Sequence, residues 1–447
     1  MTRTLLWLAV CGALLAGLAA CGDDAAAGGD ADAVDTAEEV SDGADSDADA
    51  DAAPDAVDTL ASDTASPAWA VPPLVDPAIV TPAGAQLSVQ PTLAIGADRS
   101  VLVAWTGQVG DKLVIYRALR WPDGTEAADP IQVNTDPRGV HNEPAACALS
   151  GGGYVIAWSV DTKEVAPDGG GNLEVHFRRY FADARPQDGA DVNVATGVAG
   201  NHWLADVACD ADGGFVIAGV RPGDAPGFSV FFQRYDAEGA VVGAATTALP
   251  SATASQAFPA VAVDATGAVI ASWEDAADSA ADTRVVLRRF SADGAPSEVL
   301  GVAAAPGVDA SGAAVAADPR TPSFAVAANL GTTIQLSVLA DIDSTPAPVS
   351  GPDLATAKTY QPALAALGDD RFAAVWFTGS GAAVSARLGT FGAAGFDGDA
   401  TLATGSFPLA YRPAVAYGRG VLAAAWTESL GGGQYAVRVA VFAAPSE

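Results

Sequence analysis

Between Pro91 and Trp426 the apolar residues fall in short alternating runs separated by polar turns containing Gly or Asp, and nowhere do they keep a helical period. The runs come in pairs, and the pairs repeat. Pro91-Thr-Leu-Ala-Ile leads to Val-Leu-Val-Ala-Trp105, and the pattern returns at Pro144 to Trp158, Pro259 to Trp273, Pro362 to Trp376 and Pro413 to Trp426. Two copies are degenerate: Ala205 to Gly219 lacks Pro and Trp, and Ala313 to Asn329 carries a two-residue insertion. The seven copies start at 91, 144, 205, 259, 313, 362 and 413, a mean period of about 54 residues and room for four short strands. In the second copy the pattern predicts strands at Ala145 to Leu149, Tyr154 to Ser159, Leu173 to Tyr180 and Asp191 to Ala195.

Repeated four-strand units of this size build a propeller, whereas a β-solenoid would need shorter rungs and end caps. The last copy supplies strands at Pro413 to Tyr417, Val421 to Thr427 and Tyr435 to Phe442 but no fourth. A matching segment stands at the other end: Asp76-Pro-Ala-Ile-Val80 parallels Asp129-Pro-Ile-Gln-Val133, each eleven residues before the Pro of its copy. The expected fold is therefore an all-β, seven-bladed β-propeller of four-stranded blades over residues 69–447, with Leu74 to Val80 completing the last blade. The recurring Trp reads as packing between blades, since five equivalent copies would imply five equivalent sites. The third-strand arginines (Arg117, Arg178, Arg179, Arg234, Arg288, Arg289, Arg387 and Arg438) recur in the same way, pointing to structure or solvated outer strands.

The chain begins with Arg3, an apolar segment from Leu5 to Leu18, and Leu18-Ala-Ala-Cys21. That ending resembles the lipobox of bacterial lipoproteins, which implies a signal peptide over residues 1–20 and acylation of Cys21. Gly22 to Ala68 holds fifteen Asp or Glu and no Lys or Arg, the composition of an extended, disordered tether, so residues 21–68 are read as lipidated Cys and linker. Asp45, Asp47, Asp49 and Asp51 lack the Gly and Glu of a calcium loop and read as solvated linker. The formal charge of −32 becomes −33 without Arg3 and falls to near −18 without the tether acids. Such acidity argues against nucleic acid and against docking on anionic lipid through a basic face, and leaves weak divalent-cation binding open. Gly22 after the Cys, by resemblance to a sorting rule of enteric bacteria, implies the outer membrane; Asp23 and Asp24 loosely resemble surface-export signals.

Chemistry is sparse. No phosphate loop, HExxH, CxxC or GxSxG is present, and no cofactor is implied. Of the three His residues, His176 lies in a third strand beside Phe177 and reads as packing, whereas His141 and His202 stand three residues before Pro144 and its counterpart Ala205. Loops at this level should meet around one end of the axial channel, gathering Gln90, His141, Glu143, His202, Trp203, Tyr360, Gln361, Tyr411 and Arg412 as the candidate ligand-binding set. Two His and one Glu could hold zinc, but unpartnered loop His is the commoner outcome. Glycan hydrolysis needs two facing carboxyls; only Glu143 is at this level, with Asp161, Glu274 and Glu428 after second strands, and Arg412 is a lone arginine.

Cys147 and Cys209 fall three and four residues into their copies, so their side chains point to opposite faces of their own blades and can approach across an interface. Sheets packed about 10 Å apart keep sulfurs from bonding, so buried free thiols are expected, with a disulfide as the alternative. Residues 74–442 resemble the seven-bladed propellers of bacterial secreted proteins and lipoproteins, through repeats of the type Pro-x-Val-Ala…Val-Val-x-Trp…Val-x-x-Arg-x-Phe-x-x-x-Gly. The resemblance implies a propeller held by a lipid anchor at the envelope. Its function is expected to be noncatalytic binding of an envelope or extracellular protein or glycan, or scaffolding; a glycan-active enzyme is the alternative and cation-dependent adhesion a third.

Overall fold

A computed structural model describes residues 78–79, 87–162, 173–194, 200–223, 227–250, 255–276, 283–303, 309–331, 333–341, 344, 347–349, 361–380, 383–408 and 411–443. The signal segment, Cys21, the acidic tract and Tyr360 lie outside the described residues. Seven antiparallel sheets of four strands follow one another along the chain as the blades of a propeller. The first consists of Ser88–Ile95, Val101–Val109, Lys112–Arg120 and Glu126–Gln132, the second of Val140–Ala148, Tyr154–Asp161, Leu173–Tyr180 and Val192–Asn193. The ring closes as the repeat count requires. Ala78–Ile79 pairs with the last strand, Ala78 opposite Val439 and Ile79 opposite Arg438, and becomes the outermost strand of blade 7.

Small residues on the second strands let neighbouring sheets approach, and the large ones fill the wedge between them. Trp105, Trp158, Trp273, Trp376 and Trp426 are all buried, each packed against the preceding blade. Truncating one to Ala in so dense an interior costs roughly 3–5 kcal/mol. Blade 3 carries Gly219 at the Trp position, and Phe231 occupies the space, within 3.0 Å of where a Cβ would lie. Blades 2 and 3 are held instead by Phe177, Phe215, Phe231 and Tyr235, with Phe215 stacked on Tyr235 at 4.9 Å.

The same interface carries a disulfide between Cys147 and Cys209, with Cα atoms 5.6 Å apart. The expectation of free thiols is thus corrected. The 10 Å spacing describes parallel sheets, whereas propeller blades converge toward the axis, and both cysteines sit on innermost strands. The third-strand arginines prove structural. Arg178 donates to the carbonyls of Val133 and Asp188, Arg288 to those of Ala248 and Ser297, and Arg234 to those of Gly267 and Ser291.

Candidate functional site

The residues ahead of each repeat Pro are not in loops in the first blades. Gln90 lies inside Ser88–Ile95, and His141 and Glu143 inside Val140–Ala148. The strand passes through the Pro by a bulge. Gln90, Glu143, Leu204, Phe258 and Gly312 take equivalent positions with φ of 56°, 54°, 59°, 48° and 67°, and the pairing register shifts at each. A left-handed residue followed by Pro suits this place: the bulge re-aims the side chain, and Pro asks for no ladder hydrogen bond.

Each bulge frees a backbone N–H, and in four blades the preceding blade supplies the acceptor. Glu143 N–H donates to Thr106 Oγ1 at 3.2 Å, Leu204 N–H to Ser159 Oγ at 3.0 Å, Gly312 N–H to Glu274 Oε1 at 2.7 Å and Gln90 N–H to Thr427 Oγ1 at 3.2 Å. Every one of these acceptors follows a Trp. A polar residue directly after Trp105, Trp158, Trp273 and Trp426 was the available sequence signal. A second set of ties runs one repeat apart: Thr92 Oγ1 accepts from Ala146 N–H at 3.1 Å, and Asp206 Oδ2 from Val261 N–H at 2.8 Å.

This framework redistributes the candidate set. His141 is not an exposed loop residue but 1 % exposed. Its Nδ1 accepts the Trp158 indole N–H at 3.0 Å, which leaves Nε2–H to donate to the Arg138 carbonyl at 2.9 Å, and burial lowers its pKa. His202 is also buried, edge-on to Phe231 at 5.9 Å, so the two imidazoles belong to the protein interior. Trp203 stands edge-on to Phe228 at 4.5 Å, and Tyr411 edge-on to Tyr435 at 6.4 Å. Both remain half-buried at the rim. Gln361 and Arg412 lie just before Ala363–Gly368 and Ala414–Gly418 and do not take the left-handed conformation of the bulge residues, and Gln361 abuts Gly312 of the preceding blade.

Three buried carboxyls lie at or near these bulges, one each in blades 2, 3 and 4. Burial pushes Glu143 up to about 7 against the opposing hydrogen bond of Ser159, and Glu274 up to about 7 against that of Gly312. Asp206, absent from the sequence-derived set, is raised by burial while the Arg412 charge pulls the other way. Arg412 of blade 7 and Asp206 of blade 3 therefore feel each other across the ring. Glu428 is taken up by an ion pair with Arg438 at 2.6 Å. Among the described residues no group of three His, Cys, Asp or Glu side chains is arranged to hold a metal ion.

No family model and no curated protein matches the chain. Among solved structures it is similar to the polysaccharide lyase Uly1, with a TM-score of 0.51 and 10% identity over 79% of this chain and 90% of that one. A protein of unknown function from Dyadobacter fermentans gives a TM-score of 0.49 at 11% identity, covering 83% of this chain and 98% of that one. A Hadza microbial sialidase gives 0.49 at 10%, covering 76% and 73%. At such identities the likeness is one of fold.

Proposed function

We propose that the chain is a lipid-anchored, noncatalytic binding propeller of the bacterial cell envelope, held at the outer membrane through Cys21, which engages a protein or glycan at the axial mouth rimmed by Trp203, Gln361, Tyr411 and Arg412. One observation carries the reading: the carboxyls at the loop face are engaged by the propeller's own hydrogen bonds, those of Glu274 and Asp206 crossing to the next blade. Glu274 and Asp206 accept backbone N–H groups of the next blade, and Glu143 accepts from Ser159. Catalytic carboxyls must instead be free to meet substrate. The Cys147–Cys209 bond suits an oxidising compartment, as an envelope location requires.

A glycan-active enzyme is the second reading, favoured by Glu143 alone. A carboxyl raised to about 7 is a serviceable general acid. The two readings part in one experiment. The mature protein is incubated with neutral and uronate-containing polysaccharides, and retention in affinity gels is measured beside release of reducing ends or unsaturated sugar. Retention without product, weakened about tenfold by Trp203→Ala or Tyr411→Ala, is the expected result. Sustained product release that Glu143→Gln abolishes would establish the enzyme and overturn the binding reading.

A further inference from the structure

The first strands of successive blades touch one another in a closed cycle around the axis, Ser88–Ile95 meeting Val140–Ala148 on one side and Ala414–Gly418 on the other. One place in the repeat recurs on this inner ring. The residue before the repeat Pro, or before the Ala that replaces it, is Gln90, Glu143, Leu204, Phe258, Gly312, Gln361 and Arg412 in blades 1 to 7. All but Gly312 keep part of their surface open. The seven sort into two arcs. Blades 6, 7, 1 and 2 give Gln361, Arg412, Gln90 and Glu143, whereas blades 3, 4 and 5 give Leu204, Phe258 and Gly312. Packing between blades does not call for such a division, since the residues that serve it, the buried Trp above all, recur alike around the ring.

The polar arc offers donors. Gln90 Oε1 accepts the Glu143 N–H at 3.2 Å and Thr106 Oγ1 at 2.8 Å; a backbone N–H can only donate, so the amide is held one way round and its Nε2 hydrogens are left for the mouth. Among the described residues no ion pair or hydrogen bond takes up the Arg412 guanidinium, and the acid that feels its charge is Asp206 of blade 3. Acceptors are scarcer. Asp206 Oδ2, Glu274 Oε1 and Gln90 Oε1 already accept backbone N–H groups of the next blade. Glu143, the one acid among the seven, is raised to about 7 by burial, so near neutrality it opposes an incoming anion with only part of a charge. A sugar brings a donor with every hydroxyl and would find those oxygens taken, whereas a carboxylate brings acceptors alone.

We propose that the axial mouth captures the C-terminal carboxylate of a protein partner that ends in an apolar residue, the carboxylate seated on Arg412 and Gln90 and the last side chain on Leu204 and Phe258. The planar guanidinium fork matches the two oxygens of a carboxylate, and an unpaired one at a mouth supplies the charge that a chain terminus needs. The apolar arc supplies the second contact, and the pair of demands selects a chain end over an internal acidic side chain. This inference rests on the binding reading above and names which of its two ligand classes the ring fits.

The test is calorimetric titration of the full mature protein with short Gly/Ser peptides that end in Phe. The free-acid peptide should bind, and its C-terminal amide should be weaker by about tenfold or more, as should an isomer with Phe moved inside and Ser at the end. Arg412→Gln should weaken the free acid by about tenfold at unchanged melting temperature. Gln90→Glu, which keeps the acceptor for Glu143 and removes the donors, should weaken it as well. Equal binding of acid and amide, no binding of the free acid, or an unaltered affinity in Arg412→Gln would overturn the inference. The binding reading fails separately, on sustained product release from polysaccharide. A glucuronate oligosaccharide that binds through Arg412 while the peptides do not would leave that reading standing and overturn the protein terminus.

Discussion

Glu274 shows how one residue can serve the ring at a cost that depends on pH. Its side chain is 5 % exposed, and Oε1 takes the Gly312 N–H that the bulge of blade 5 leaves free. Burial raises its pKa from 4.5 to about 7, so the folded state prefers the neutral acid. The sign follows: the stabilisation is full below the unfolded value and is lost as pH rises through about 7, a change of about 3 kcal/mol by linkage. Glu143 shifts in the same direction. The melting temperature should therefore fall between about pH 5 and pH 8. Glu274→Gln keeps an acceptor for Gly312 without a titrating proton and should flatten that fall, and adding Glu143→Gln should flatten it further. A pH series of thermal melts checks this; wild-type slope in the double variant would refute it.

At the scale of strands and blades, the alternation of apolar runs and the spacing of Pro and Trp made the seven sheets legible, because period-two burial and interblade packing write directly into residue type. The inner-strand boundaries were not. Pro144 reads as a start, yet the strand begins at Val140, since a bulge at Glu143 carries it through the Pro. That displacement turned His141 from a rim candidate into the acceptor for Trp158, a pairing between residues 17 apart that no local pattern displays. The Cys147–Cys209 bond was legible in face parity but not in distance, which depends on how far blades converge. It stands where Gly219 replaces the interblade Trp, so it substitutes for missing packing. With a sequence separation of 62, the bond should contribute about 4 kcal/mol by the loop-entropy relation. Replacing both cysteines with Ser should lower the melting temperature by several degrees, without altering the secondary-structure spectrum. An unchanged melting temperature in that double variant would show that the aromatic cluster holds blades 2 and 3 alone.

For the molecule as a whole, the fold needs no partner to close its sheet, because Ala78–Ile79 completes blade 7 from the opposite end of the propeller. Charge limits how the folded part could meet a membrane. Its balance is acidic, near −18 without the tether acids, and a basic face for anionic lipid is not to be expected of it. Attachment then falls to the acyl chains proposed on Cys21, where each buried methylene contributes about 0.8 kcal/mol and one chain alone gives only marginal, reversible binding. Removing the thiol should be decisive, since every chain is attached through it or depends on it. Cys21→Ser should therefore move the protein from the membrane pellet to the soluble fraction after carbonate washing, and should abolish incorporation of labelled palmitate. A Cys21→Ser chain that stays in the pellet with residues 1–20 removed would mean that the folded part binds the envelope itself. One that stays there uncleaved would mean that the apolar segment from Leu5 to Leu18 is the anchor, and either result would end the lipoprotein reading.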